Sequence, residues 1–172
     1  PVPSVPRRSL RAGAAAADLV IDVEGVAQPT PVAVVPFGWE GQGRAMPLNV
    51  ATVITADLRR SGRFAPIAED KMLQKPTDGV DVDFQDWSFV GVEAVVVGKL
   101  VQTDNDRFTL QFQLFDVFGQ RQLVGFRMPN VTRATMRGAA HRAADMIYEK
   151  LTGIKGVFGT RVAYVTAKQQ GD

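Results

Sequence analysis

The residues best placed to do chemistry are Gly38-Trp39-Glu40-Gly41-Gln42-Gly43-Arg44-Ala45. They follow an apolar run and precede a helical pattern, where a glycine-rich loop can offer backbone amides to a phosphate. Gly38 and Gly43 have the spacing of the outer P-loop glycines, but the next two positions fail. Arg44 stands where a lysine would reach the terminal phosphates, and Ala45 stands where a hydroxyl would hold Mg²⁺. Trp39 and Glu40 would crowd and repel a phosphate. The stretch therefore reads as a strand-to-helix loop. A small-ligand or nucleotide-binding α/β domain using Gly38–Ala45 is kept as the alternative function.

Other candidate groups are less demanding to explain. His141 is the sole histidine, and Asp145 and Glu149 follow it at i+4 and i+8 on one helical stripe. A metal would need further ligands, and a hydrolytic triad would need a serine in an elbow-like turn; the sequence designates neither. The expectation is a solvated helix flank with His141 paired to Asp145. Asp78, Asp81, Asp83 and Asp86 crowd one polar segment, but counting from Asp81 puts Asp86 and Val92 where a calcium loop needs glycine and glutamate. Trp39 and Trp87 read as core-edge or core packing. With no cysteine, disulfides and thiolate chemistry are excluded. No catalytic residue, metal or cofactor is implied.

Charge and hydropathy narrow the partners. The sequence pI of about 9.2 invites a nucleic-acid reading. However, Arg7, Arg8 and Arg11 lie in an acid-free stretch of seventeen residues, and without them 17 basic residues face 18 acidic ones, a net charge of −1. The body thus lacks the basic stripe that binds a phosphate backbone. No apolar run reaches the roughly 18–20 residues of a spanning helix, so membrane insertion is not expected. Residues 1–17 combine upstream arginines with Ala14–Ala17 but have no apolar core between them, and read as a disordered tail or signal remnant.

These groups must be held by elements that the pattern of apolar residues predicts. Val32–Phe37 is a strand covered on both faces, and Ala94–Leu100 is a second. Between them a helix starts near Pro47, repeats Ala51, Ile54 and Leu58, and stops at Gly62. Phe64–Ala68 is extended, Lys75–Asp83 is turn-rich, and Phe84–Val90 forms one or two helical turns around Trp87. Phe108, Leu110, Phe112 and Leu114 alternate with Thr109, Gln111 and Gln113 as a strand with one wet face, and Gly119 turns the chain into a partner near Gln122–Met128. Arg133–Leu151 is an amphipathic helix with Met136, Ala140, Ala143, Ala144, Ile147 and Leu151 on one face. Gly153 ends it, Ile154 packs back on its last turn, and Thr160–Ala167 is a last strand. The sum is an α/β fold, a mixed sheet of about five strands packed with two main helices.

Asp18, Leu19, Val20, Ile21, Asp22, Val23, Glu24, Gly25 and Val26 form a β-prone segment ahead of that body. Its alternating apolar residues suit either an edge strand of the domain's own sheet or a strand added to another protein.

Four colinear blocks carry a family resemblance: PVAVVPFGWEG (Pro31–Gly41), ITADLRRSGRFAPI (Ile54–Ile67), DWSFVGVEAVVVGKL (Asp86–Leu100) and AAHRAADMIYEKLTGIKGVFGTRVAYV (Ala139–Val165). The chain resembles the amino-terminal domain of the TolB family, of the Tol–Pal cell-envelope system. The resemblance implies a Rossmann-like, anticodon-binding-domain-like fold over residues 31–158. It further implies a non-enzymatic, monomeric periplasmic protein that helps maintain outer-membrane integrity and envelope constriction during cell division. In that family the extended amino-terminal segment, residues 18–30 here with Asp18–Val26 at its heart, contacts the periplasmic carboxy-terminal domain of TolA. Residues 159–172 correspond to a linker and the first strand of a β-propeller. The repeats of that propeller are absent, so contact with the lipoprotein Pal, which the propeller makes, is not expected of these residues.

Overall fold

The computed structural model describes residues 28–160. Two valine-rich runs form its centre because both of their faces are buried. β1 (Thr30–Val34) sends Val32 and Val34 to one layer and Ala33 to the other, where Val35 follows it. β4 (Ala94–Asp104) pairs with it in parallel, Val32 opposite Ala94, and divides Ala94 and Val96 from Val95 and Val97 in the same way. β3 (Phe64–Pro66) flanks β1 in parallel. β5 (Arg107–Asp116) and β6 (Arg121–Val131) then extend the sheet from β4 as an antiparallel meander. The order is β3-β1-β4-β5-β6.

A sixth strand was not expected. β2 (Gly38–Glu40) lies inside the glycine-rich stretch read as a loop, and pairs in parallel with Lys99–Val101 of β4 beyond the end of β1. Its apolar signal is short and its glycine prominent, but a free stretch of the long β4 edge is available to it.

One face of the sheet carries two helices. α1 (Val50–Arg60) starts later than Pro47 because Asn49 supplies the cap, its Oδ1 accepting the Thr52 N–H at 3.1 Å. α3 (Met136–Thr152) presents Ala139, Ala140, Ala143, Ala144 and Ile147 to the core. Gly62 (φ +70°) and Gly153 (φ +73°) end these helices in the left-handed conformation that glycine reaches without a Cβ penalty. Ile154, expected to pack back on the last turn of α3, is half exposed. Among the described residues the opposite face is covered only in part, by α2 (Phe84–Val90) and the segment leading to it. Trp87 is fully buried there among Ala33, Val35, Val95, Val97 and Phe115, and its indole N–H has no acceptor among the described residues.

The wet face expected on β5 is partly dry. Gln113 Oε1 accepts the Gly79 N–H at 2.7 Å, which lays the turn-rich segment across it, and Thr109 is buried opposite a bulge in β6. The strand expected over Thr160–Ala167 falls, beyond Thr160, outside the described residues.

Close approach at two glycines generates a contrast. A Cβ on Gly98 of β4 would collide with the Gln111 carbonyl oxygen and the Phe37 ring, whereas one on Gly138 of α3 meets nothing. Gly98→Ala should destabilise the chain by about 1–3 kcal/mol through overpacking. Gly138→Ala should stabilise it by about 0.5–1 kcal/mol. Urea denaturation of both variants would check the opposite signs.

Candidate interaction sites

The segment expected to bind a partner, Asp18–Val26, lies outside the described residues; its attachment point does not. The Thr30 N–H donates to the Arg63 carbonyl at 2.9 Å, and Thr30 pairs with Phe64 of β3. Beside Thr30 opens a groove of about 410 Å³, its lining including Phe64, Leu123 and Leu151 with Asp116, Arg121 and Lys150.

The loop after β2 is closed on itself. The Gln42 N–H donates to Gln102 Oε1 at 2.8 Å, and the Trp39 indole donates to the Gly43 carbonyl at 3.2 Å. Glu40 reaches Lys99 at 3.1 Å. α1 begins only at Val50, so its first-turn amides do not join those of Gly41–Gly43 in one cradle.

His141, Asp145 and Glu149 share a stripe but not a site. His141 does not pair with Asp145, as expected from their spacing. Its Nδ1 lies 2.6 Å from Oδ2 of Asp57 on α1, the separation of a hydrogen bond donated by the ring. Asp57 is 1% exposed, and Arg60 approaches its other oxygen at 3.3 Å. A buried carboxylate needs such partners, because desolvating it alone is costly. The sequence did carry a signal: Asp57 falls on the same stripe as Val50, Val53 and Ile54, where an acid demands a cation or donor from elsewhere.

Asp145 has a different role. Its carboxylate accepts the Phe158 N–H at 2.6 Å and the Gly159 N–H at 3.2 Å, folding the segment after Gly153 back along α3. Phe158 packs edge-on against Tyr148, and a Cβ on Gly156 would collide with Asp145. Among the acids of the turn-rich segment, Asp78 and Asp83 cap the short helical turns that follow them, accepting from Val80 and Gln85. Arg44, Asp81 and Asp86 are drawn into no shared constellation.

The comparisons with known proteins decide the family. The profile of the TolB amino-terminal domain matches residues 19–123. The chain belongs to the TolB amino-terminal domain family. The Tol–Pal system protein TolB of Thioalkalivibrio sulfidiphilus is 46% identical over 159 residues, which cover 92% of this chain and 36% of that protein. Its counterpart in Nitrosococcus oceani is 46% identical over 152 residues, covering 88% and 34%. The crystal structure of TolB from Acinetobacter baumannii superposes with a TM-score of 0.62 at 33% identity, over 75% of this chain and 30% of that one. The chain thus spans about a third of the length of these TolB relatives. The mixed α/β fold of a TolB amino-terminal domain is what the six strands and three helices form.

The two carboxylates support separable predictions. His141→Ala removes the 2.6 Å partner of a buried acid and should cost about 1–3 kcal/mol in chemical denaturation. Asp145→Ala should leave the core transition nearly unchanged yet speed tryptic cleavage after the exposed Lys155 severalfold, because only the returning segment is released.

Proposed function

We propose that this chain acts by protein–protein contact, as the amino-terminal-domain part of a periplasmic Tol–Pal component. In this reading Asp18–Val26 docks on the periplasmic carboxy-terminal domain of TolA, and the contact serves outer-membrane integrity and envelope constriction during division. The observation that carries the reading is the family match, which begins at residue 19 and so takes in most of that segment. The names of the relatives point to the same system.

Physical chemistry supports the mode of contact. Leu19, Ile21 and Val23 alternate with Asp18, Val20 and Asp22 at the period of a strand. Added to an open sheet edge, such a segment gains main-chain hydrogen bonds, while its alternate side chains supply specificity. The attachment point at Thr30 is held by β3 and β1, so the segment would be tethered to a rigid body. Pal contact belongs, in this reading, to the propeller of the longer relatives. No helix among the described residues is long and apolar enough to cross a membrane. The small-ligand alternative gains no support from the Gly38–Ala45 geometry, where the Gln42 amide is already engaged and Glu40 stands nearby.

Titration of the TolA carboxy-terminal domain with the full chain, and with a chain beginning at Thr30, tests the reading. The full chain should bind and the shortened one should not. Equal binding by both would move the site onto the α/β body, and binding by neither would remove TolA as the partner of this region.

A further inference from the structure

We propose that the outer edge of β6, over Val124–Met128, is a second docking site, for an extended peptide of another protein that alternates apolar and acidic residues. Among the described residues β6 pairs only with β5, which leaves one side of an 11-residue strand with open main-chain donors and acceptors. Bulges bracket the usable part. Leu123 is the extra residue at one end, and the Pro129–Asn130 pair, with Asn130 at φ +58°, disrupts the other. Between them Val124–Met128 keep unbroken register with Leu114–Leu110. The edge is therefore blunted against long pairings and open to a short one.

Its two faces specify what would fit. Val124, Phe126 and Met128 share the face of Leu114, Phe112 and Leu110, the face under the α1–α3 layer. Phe126 packs on Phe112 with ring centroids 6.2 Å apart yet remains 40% exposed, so the apolar row reaches the edge without being covered. An apolar side chain on an added strand would extend that row. On the other face, Arg127 continues the cross-strand row Lys99–Gln111. Lys99 is compensated by Glu40 and Asp78, and Arg121 by Asp116, but Arg127 has no acidic partner among the described residues. The Gln122 amide folds over Gly125, and a hollow of about 240 Å³ runs along Lys99, Gln111, Gln113, Gly125 and Arg127, with Asp78 also in its lining.

A strand with period two places an acid beside Arg127 while its alternate residues meet Phe126. Self-pairing of two copies satisfies the second condition only, since Arg121–Val131 contains no acid. That asymmetry favours a foreign acidic peptide over a second β6.

The test titrates the full chain with fluorescein-labelled peptides TVDVDVT and TVKVKVT, read by anisotropy, with amide NMR to map the contact. The acidic peptide should bind saturably, the lysine peptide about tenfold more weakly, and Arg127→Glu should reverse the preference. Shifts should concentrate at Val124–Met128. Equal binding of both peptides, no binding at millimolar concentration, or shifts confined elsewhere would overturn the proposal. So would a concentration-dependent dimer broken by Phe126→Asp, which assigns the edge to a second copy. Acidic-peptide binding seen only in the chain beginning at Thr30 would assign it instead to the protein's own Asp18–Glu24. None of these readouts uses TolA, so failure of the TolA titration leaves them unaffected.

Discussion

A carboxylate without water sets the arrangement of the helical layer. Asp57 projects from the apolar stripe of α1 into the seam with α3, and its two oxygens are met by His141 at 2.6 Å and Arg60 at 3.3 Å. Hydrophobic burial is tolerant of small slides, since leucine and valine pack acceptably in many registers. A buried acid is not, because a shift of an ångström or two leaves it unpaired. The pair therefore fixes the register of helices whose contact residues lie 84 positions apart in sequence. The alanines at 139, 140, 143 and 144 allow the close approach that brings the imidazole within reach.

That register decides what the sheet exposes. With α1 and α3 locked together, their joint surface covers Val32, Val96, Leu100, Leu110 and Phe112, and runs out at β6. Among the described residues the second face has no equivalent pair of long helices. It relies on α2, where Trp87 fills the space between Val35, Val97 and Phe115, and on a turn-rich segment pinned through Gln113. A large ring is one of few side chains able to close that layer from a helix of seven residues. Where α2 ends, the row Lys99–Gln111–Arg127 faces outward. Among the described residues one physical asymmetry, two long helices against one short one, thus produces both a dry core and a polar strip beside the outer edge of β6.

Legibility in the sequence followed the range of the interactions. Val32–Val35 and Ala94–Val97 announce strands because burial on both faces excludes polar residues, and α3 announces itself by period. Gly62 and Gly153 mark helix ends because the left-handed conformation is a local demand. The helix start was misplaced to Pro47 because proline's fixed φ is visible, whereas the Asn49 cap is only recognised once the first turn is known. β2 was hidden because three residues beside glycines gain strand character only from the unoccupied edge of β4. The Asp57–His141 pair and the Asp145 clamp were missed for one reason: a helical stripe suggests an i,i+4 partner, while each acid found a better one from another segment. The family was legible through colinear blocks, and the chemistry of the body added no catalytic constellation to it.

The two chain ends of the described domain are linked by contact rather than by proximity alone. Phe158, held by the Asp145 clamp, stacks edge-on with Tyr148 at 5.5 Å, and Tyr148 stacks edge-on with Phe64 at 5.9 Å. Phe64 pairs with Thr30, the residue from which the amino-terminal segment departs. Releasing the clamp would free Phe158 and remove one of the two rings against Tyr148, while the Tyr148–Phe64 contact stays in place. The segment ending at Thr160 and the strand beginning at Thr30 thus meet on the same three rings.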